Sequence, residues 1–460
     1  MRAGGEEPYP AVVPRTHALA ELRAHLSGRA SVTGRIIGRR RHGGIAFLDL
    51  IENHTPFQVI ATAHDTAGYE ALRHARLGDI VSVTGEATLS DTGEPSLLAE
   101  SWVTASKSLR QPPDRRMGLT DPEAQVRQRH VHLASSDEAA GLLRARSRAV
   151  RALRDRLVDE SYMEVETPIL QRIHGGANAR PFRTHINAYH RDLSLRIAPE
   201  LALKRLIVAG FPQVFEIGRN FRNEGVDSTH NPEFTAMEAY RAFADYTDMR
   251  ELAERLVKDM VVAAAGSPTL LTADGTRVDV SGSWRVVTVC DALTERIGVP
   301  ISIDLELGVL RELCAVYRVS VTDEDTAGTI IERLHEELVE PETVLPTFYT
   351  DFPSDTSPLA RPHRRIEGLS ERWDLVALGM ELGTAYSELV DPIEQRRRLT
   401  AQSLRAAGGD PEAMELDEDF LAALEFGMPP TGGLGLGVDR IVMAATGATI
   451  RQTLAFPFVR

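Results

Sequence analysis

The stretch from Phe215 to Tyr240, FEIGRNFRNEGVDSTHNPEFTAMEAY, holds the densest set of chemically capable side chains in this 460-residue chain. Arg222 and Glu224 lie two residues apart at the end of a strand-like segment, and Glu238 and Tyr240 end a second alternating run. Residues two apart on a strand face the same side, so each pair can point into one pocket. That pocket would offer a guanidinium for a phosphate, a carboxylate for an exocyclic amine and a ring for a base.

A second motif lies near the C-terminus, where six residues, GGLGLG at 432–437, precede Val438, Asp439, Arg440 and a helical stretch. A glycine-rich turn between a strand and a helix can bind a dinucleotide. No βαβ unit and no downstream acidic residue follow it here, which argues against that site. Small residues also let a strand lie flat beside a nucleotide, with Arg440 at the start of the helix to meet the phosphates.

Together these stretches resemble motifs 2 and 3 of class II aminoacyl-tRNA synthetases, in the form found in lysyl-tRNA synthetases. A helix around 144–161 with a strand ending at Pro168 resembles motif 1, which forms the dimer interface in that family. The resemblance runs from Ser31 to Arg460 and includes TSPLAR at 356–361. It implies a homodimer that activates L-lysine with ATP and Mg²⁺ to lysyl-adenylate and transfers the lysyl group to tRNA(Lys).

The resemblance also assigns the nucleotide end of the site. It implies Arg222 and Arg440 as the catalytic residues that neutralise the phosphates. The implied ATP contacts are Arg222, Glu224, His230, Phe234, Glu381 and Arg440. Asp374 and Glu381 match an acidic pair that holds Mg²⁺, an ion that prefers oxygen ligands. They lie seven residues apart in the strand-like run RWDLVALGMEL, so a loop or bulge must bring them to one side.

The amino-acid end is assigned in the same way. The implied lysine contacts are Gly176, Glu200, Glu238, Tyr240, Thr384, Tyr386 and Glu388. By the resemblance Glu388 takes the ε-ammonium, helped by Tyr240, and Glu200 takes the α-amino group. A buried ammonium without a partner is costly, so a lysine pocket must supply an anion. Thr384 and Val390 replace asparagines that are common in lysyl enzymes, which affects the expected efficiency rather than the reaction.

The sequence predicts an α+β protein with two domains, a small β-barrel and a larger domain that positions the site residues named above. Short strands with glycine-rich turns at 31–107 indicate an OB-type β-barrel, with an SH3-like barrel as the alternative. Residues 1–30 form an N-terminal extension and 108–140 a linker. Residues 141–460 form a class II catalytic domain, an antiparallel sheet flanked by helices, in which 250–345 is interpreted as an insertion without recognisable chemistry.

The predicted barrel carries a candidate site for RNA. Phe47 and Gln58 match positions that stack on and hydrogen-bond the uridines of a UUU anticodon in the family, with Arg39 alongside. Aromatic stacking combined with base-edge contacts is a usual way to read single-stranded RNA. Without the resemblance, Phe47 would be interpreted as a core residue of the barrel.

The composition limits the class of protein and the kinds of partner that can be expected. Hydrophobic residues make up 43% and charged residues 26% of the chain, as in globular proteins. The net charge of −14 argues mildly against a nucleic-acid partner, but the segment 35–42 is strongly basic. Two cysteines, Cys290 and Cys314, give no basis for a disulfide framework. With neither a signal peptide nor a membrane-spanning run, a cytoplasmic location without membrane insertion is expected.

Two other functions are compatible with the sequence. The chain is also similar to the soluble half of fusion proteins that join a membrane flippase-transferase to a lysyl-tRNA synthetase, so it could supply lysyl-tRNA for lipid lysylation. The other alternative is a reduced paralogue that senses lysine or lysylates a protein. Paralogues that lysylate proteins lack the OB domain, which argues against this alternative.

Overall fold

The computed structural model describes residues 7–114 and 117–459, and the chain divides into two compact units, 1–140 and 141–460. Residues 1–6 of the expected extension, 115–116 of the expected linker and Arg460 of the expected catalytic domain lie outside the described residues.

The first unit is built around a closed barrel of five strands in the order β1-β2-β3-β5-β4. Its elements are α1 (Leu19–Ala24), β1 (Arg29–His42), β2 (Ile45–Glu52), β3 (Thr55–Thr62), a 3₁₀ turn (Tyr69–His74), β4 (Ile80–Leu89), β5 (Pro95–Ser106), α2 (Pro122–Arg127) and α3 (Arg129–Ser135). Alternate residues such as Leu48, Leu50, Phe57 and Val59 fill the interior. This closed five-stranded barrel confirms the expected OB type.

The second unit follows the long helix α4 (Asp137–Asp159), which spans the division. Its elements are β6 (Met163–Glu164), β7 (Leu170–Gln171), β8 (Arg183–Ile186), β9 (Arg191–Leu195), α5 (Glu200–Val208), β10 (Gln213–Phe221), β11 (Glu233–Ala242), α6 (Tyr246–Ala265), β12 (Thr269–Leu271), β13 (Arg277–Asp279), β14 (Arg285–Thr288), α7 (Val289–Ile297), α8 (Leu307–Tyr317), α9 (Ala327–Leu338), β15 (Thr347–Thr350), β16 (Arg372–Ala377), β17 (Met380–Ser387), α10 (Pro392–Ala407), α11 (Glu418–Gly427), β18 (Thr431–Gly437), α12 (Val438–Thr446) and α13 (Ile450–Thr453). Asn187–Tyr189 and Glu340–Glu342 are 3₁₀ turns.

The main sheet of this unit has eight strands in the order β14-β15-β16-β17-β18-β11-β10-β6. The six strands from β15 to β10 are antiparallel, as expected, whereas β14 with β15 and β6 with β10 are parallel edge pairs. The sheet is therefore mixed, and the α+β class is confirmed.

Alternation along the central strands divides the sheet into two faces. Met237, Ala239, Leu434 and Leu436 belong to the main apolar core, which also contains residues of α4, α6 and α12. The neighbouring positions of β11, β17 and β18 therefore face the opposite side of the sheet. Those positions include Glu238, Tyr240, Thr384 and Tyr386, which the sequence singled out.

The segment 250–345, interpreted from the sequence as an insertion, contributes in part to the main body of the unit. Leu256 and Met260 of α6 are fully buried in the main core, and β14 extends the main sheet. The strands in this segment are only three or four residues long, too short to show alternation in the sequence. Among the residues described, no helix combines the length and apolar character needed to cross a membrane.

Candidate active site

A cavity of about 520 Å³ lies over the polar face of the sheet. Nearly all the site residues that the sequence predicted for this unit line it. The predicted residues that line it are Gly176, Glu200, Arg222, Glu224, His230, Phe234, Glu238, Tyr240, Glu381, Thr384, Tyr386, Glu388 and Arg440. Asp374 does not line the cavity and is buried behind it.

Arg222 is positioned by the hairpin of β10 and β11. Its backbone N–H donates to the carbonyl of Pro232 at 2.9 Å, which closes the loop between the strands. Its guanidinium lies 5.1 Å from the centre of the Phe234 ring. Within the described residues its buried Nε has no hydrogen-bond partner. The guanidinium is thus held by packing and keeps a donor for an anion.

Arg440 is held at the start of α12 by contacts from two other elements. Its Nη1 donates to the carbonyl of Glu381 at 2.8 Å, and its Nη2 lies 3.1 Å from Nε2 of His230. Nδ1 of His230 lies 2.9 Å from Oδ2 of Asp227. An acceptor at Nδ1 assigns the hydrogen to that nitrogen, so Nε2 can accept from Arg440. Although its partial burial has the opposite effect, hydrogen bonds from Thr229 and His230 lower the pKa of Asp227. A histidine contact thereby orients the second arginine.

Three carboxylates meet at another part of the cavity, those of Glu200, Glu238 and Glu388. The hydroxyl of Tyr240 donates to Glu238 Oε2 at 3.1 Å, and burial followed by repulsion from Glu200 raises the pKa of Glu238 to about 8. Burial also raises the pKa of Glu388 to about 8, against the effect of the nearby Lys204 ammonium. This part of the cavity holds more carboxylates than cations and so favours a cationic ligand.

Glu388 reaches the cavity because its neighbour on β18 is a glycine. A Cβ added at Gly433 would lie 1.9 Å from Glu388 Oε1 and 2.6 Å from the Tyr240 ring, so no larger residue fits without displacing both. Glu388 is 2% exposed, and its Oε1 has no hydrogen-bond partner within the described residues. An unpaired buried carboxylate oxygen is a strong acceptor for an incoming ammonium.

Asp374 and Glu381 lie on the two strands of one hairpin, β16 and β17, with a turn at Leu378 and Gly379 and an irregular register after Leu375. The loop that the sequence required between them is therefore present. Arg372 donates to both oxygens of Asp374, at 3.2 and 2.6 Å, and the Thr384 hydroxyl donates to Oδ1 at 2.6 Å. The hydroxyl hydrogen of Thr384 is thus used by Asp374, not by a ligand in the cavity.

The barrel of the first unit has its own polar outer face. Phe47 and Asp49 lie on the same side of β2, opposite Ile60 and Gln58 of β3, and both Phe47 and Gln58 are half-buried. The adjacent strand contributes Arg40, whose guanidinium lies 5.7 Å from the centre of the Phe47 ring.

Arg39 does not share this face. Strand alternation directs it to the other side, where its Nη1 donates to the carbonyls of Leu72 and Ala75 at 3.1 and 2.6 Å. The structure thus brings Phe47 and Gln58 together and supplies Arg40, not Arg39, as their cation.

Comparison with known families matches residues 121–460 to the family described as tRNA synthetases class II (D, K and N). The chain belongs to this family. Residues 30–105 match the OB-fold nucleic acid binding domain, in agreement with the closed barrel.

Curated relatives of this class II synthetase include the lysylphosphatidylglycerol biosynthesis bifunctional proteins LysX of Gordonia bronchialis, Mycolicibacterium vanbaalenii and Mycobacterium tuberculosis. They are 52%, 51% and 50% identical over 99–100% of this chain. The chain spans only 40–42% of their length.

The synthetase cavity contains oxygen ligands suited to Mg²⁺. Burial and repulsion from Asp374 raise the pKa of Glu381, and burial with repulsion from Glu332 and Glu340 raises the pKa of Glu336 to about 7. A carboxylate whose pKa is raised by neighbouring negative charge is stabilised by a hard cation. No group of three or more His, Cys, Asp or Glu residues in the described chain is arranged to hold a metal. Of the predicted pair, Glu381 lines the cavity, whereas Asp374 is buried behind it and paired with Arg372. Glu381 is therefore the carboxylate placed to hold Mg²⁺ beside a phosphate.

Sequence reasoning missed four charged residues of this synthetase. Arg372, Glu332 and Glu336 line the cavity, and Lys204 contacts two residues that do. Arg372 could have been found from its two-residue spacing to Asp374 on one strand. Glu332 and Glu336, like Glu200 and Lys204, are four residues apart in the sequence. That spacing does not identify a site residue, because charged pairs on surface helices show it too.

Proposed function

We propose that this class II synthetase activates L-lysine with ATP to lysyl-adenylate and transfers the lysyl group to tRNA(Lys). The observation that carries the proposal is the group of three carboxylates, Glu200, Glu238 and Glu388, in one cavity. Of the three amino acids in the family description, aspartate has a side-chain carboxylate that this group would repel, and asparagine brings only its α-ammonium. Lysine brings two ammonium groups, which neutralise it.

In the proposed reaction a lysine carboxylate oxygen attacks the α-phosphorus of ATP and pyrophosphate leaves. Arg222 and Arg440 neutralise the phosphates, and the buried carboxylates hold the ammonium groups, so rate enhancement comes from positioning and charge neutralisation. Glu381, with Asp374 buried behind it, would hold Mg²⁺, and the bound ion would supply neutralisation of phosphate charge. A hydroxyl of the ribose at the 3′ end of tRNA then attacks the lysyl carbonyl carbon of the adenylate, an ester bond forms and AMP leaves.

The direct test is ATP–pyrophosphate exchange measured with each of the twenty amino acids, followed by charging of a tRNA with a UUU anticodon. Exchange that depends on lysine alone, together with charging, is the expected result. Exchange with asparagine or aspartate, or none with any amino acid, would refute the proposal. The homodimer expected from the motif 1 resemblance is part of the proposal, and light scattering on the purified chain tests it.

Lysine binding should release protons near neutral pH. Glu238 and Glu388, with pKa values of about 8, hold protons in the free enzyme at pH 7, whereas bound ammonium groups require carboxylates. Raising the pH through about 8 should therefore tighten lysine binding, by up to tenfold per pH unit for each proton released. Calorimetry at pH 7 in buffers of different ionisation enthalpy measures the release. Identical heats in all buffers would contradict it.

The same pKa values predict how the stability of the free enzyme depends on pH. Both carboxyl groups have pKa values above their ordinary 4.5, so the folded state holds protons that the unfolded state loses. Their contribution to stability is complete below pH 4.5 and is lost as the pH rises through 8. The increase in melting temperature on adding lysine should accordingly be larger at pH 8.5 than at pH 6.5.

Phe47→Ala should separate activation from tRNA recognition. We expect unchanged ATP–pyrophosphate exchange, and tRNA charging weakened by about 1–3 kcal/mol, the usual contribution of one base–aromatic stack. Phe57→Ala is the matched control, because Phe57 is 2% exposed in the barrel core and its truncation should cost about 3–5 kcal/mol of stability. Normal charging by a folded Phe47→Ala protein would exclude Phe47 from tRNA binding.

A second candidate function is the supply of lysyl-tRNA for lipid lysylation. The names of the relatives favour it, since they are bifunctional proteins of lysylphosphatidylglycerol biosynthesis and this chain covers about two fifths of each. Deleting the gene and measuring both membrane lysylphosphatidylglycerol and tRNA(Lys) charging separates the two functions. Loss of the lipid with normal total charging would favour the second.

A further inference from the structure

Lys204 of α5 contacts two of the carboxylates of the cavity at once. Its Nζ lies 2.5 Å from Glu200 Oε1 and also contacts Glu388 Oε2, and its side chain is fully buried. Although burial has the opposite effect, the two carboxylates raise the pKa of Lys204, so it remains an ammonium. The contact joins the start of α5 to the end of β17.

Lys204 lies behind the cavity rather than in it. Glu200 and Glu388 line the cavity, whereas Lys204 does not belong to its described lining. Each carboxylate therefore has one side toward Lys204 and another toward the ligand space, and Oε1 of Glu388 has no hydrogen-bond partner within the described residues. The ammonium does not compete with a ligand for the cavity volume.

The choice of lysine at this position is unusual for the chain. Only three of its 52 basic residues are lysines, at 107, 204 and 258, and the rest are arginines. A guanidinium is a rigid planar fork, whereas an ammonium is a compact donor that can bridge two carboxylates from one point. Two oxygens that contact one Nζ lie within roughly 5–6 Å of each other, which is twice the length of a charge-assisted hydrogen bond.

We propose that Lys204 is a positioning residue that fixes the spacing between Glu200 and Glu388 and thereby sets the length of the diamino acid that the enzyme accepts. The inference rests on the proposed activation of lysine, in which Glu200 holds the α-ammonium and Glu388 the ε-ammonium. Ornithine is one methylene shorter than lysine, so its terminal ammonium falls short of a fixed Glu388. Without Lys204, Glu388 can move toward the shorter substrate.

The test compares Lys204→Met with Lys258→Met in ATP–pyrophosphate exchange on lysine and ornithine. Lys258 is a matched control, because it also pairs with a glutamate four residues earlier, Glu254 at 2.6 Å, but lies outside the cavity. In Lys204→Met we expect the KM for lysine to rise while kcat changes little, and the lysine-to-ornithine ratio of kcat/KM to fall about tenfold, the scale of one methylene. Lys258→Met should keep the wild-type ratio.

A folded Lys204→Met protein with the wild-type ratio would overturn the inference. If that variant does not fold, ¹⁵N NMR of the wild-type lysine ammonium groups decides. Only three signals exist, and Lys107→Arg and Lys258→Arg each remove one, which leaves Lys204 assigned. We expect added lysine to shift the Lys204 signal more than ornithine does, and equal or absent shifts would overturn the inference. Absence of any lysine-dependent exchange in the wild type would instead refute the proposed function.

Discussion

Arg222→Ala is expected to reduce lysine-dependent ATP–pyrophosphate exchange by about 10³-fold or more, the lower end of what an arginine contributes to phosphoryl-group chemistry. Its guanidinium is held over the Phe234 ring with Nε buried and, among the described residues, without a partner. In the proposed reaction it neutralises charge that develops at the α-phosphate and the attacking carboxylate. Single-turnover adenylate formation measures the loss at the chemical step.

Three variants control this result. Arg222→Lys should not restore activity, because a point charge cannot replace a planar fork. Arg219 lies on the same hairpin but outside the cavity, and it pairs with Glu233 at 3.5 Å. Arg219→Ala should therefore change lysine-dependent exchange very little. Arg440→Ala should also abolish adenylate formation but weaken lysine binding less. Restoration by lysine at position 222 would exclude a bidentate role for Arg222.

Glu388→Gln should leave the fold intact and lower kcat/KM for lysine by about 10²–10³-fold or more, since breaking one side of a buried ion pair costs about 3–5 kcal/mol. The amide resembles the protonated carboxyl group that a pKa of about 8 favours in the free enzyme, which is why folding should tolerate it. The same substitution should reduce the pH dependence of lysine binding, because one titrating group is removed. Exchange kinetics across pH 6.5–8.5 measure both effects.

Glu371→Gln is the matched control for a buried charge. Glu371 is fully buried and paired with Arg364, and it does not line the cavity. We expect this control to lower the melting temperature while the KM for lysine stays normal. Wild-type exchange in Glu388→Gln would remove Glu388 from lysine recognition, and equal effects of both variants on lysine KM would indicate a general effect of charge in the sheet.

The fold was predictable where the sequence pattern is long. The barrel strands β1 to β5 are 8–14 residues each, and their alternation of buried and exposed residues is visible in the sequence. The hairpin of β10 and β11 and the glycine-rich β18 were recognisable for the same reason. The contribution of the segment 250–345 to the main core was not predictable, because its strands are short and that contribution depends on contacts with distant residues.

For the candidate site, too, the sequence predicted local features and missed those that depend on strand pairing. Residues on one strand or loop, such as Glu238 with Tyr240, reach the cavity together because strand periodicity fixes their direction. The bond from Thr384 to Asp374 and the residue of β1 that lies opposite Phe47 depend on register between strands, which one strand's sequence does not specify. Arg40, one residue from the predicted Arg39, lies over Phe47 because of that register.

The sequence by itself indicated the two kinds of domain through local periodicity, and its resemblance to the class II motifs implied thirteen of the residues that line the cavity. Only the tertiary structure showed that Lys204 joins Glu200 to Glu388, that Arg372 neutralises Asp374 and that Glu332 and Glu336 reach the cavity. The contact of Lys204 with Glu388 and that of Arg372 with Glu332 join elements far apart in the chain. The pKa of a buried carboxylate depends on which charges such elements bring near it.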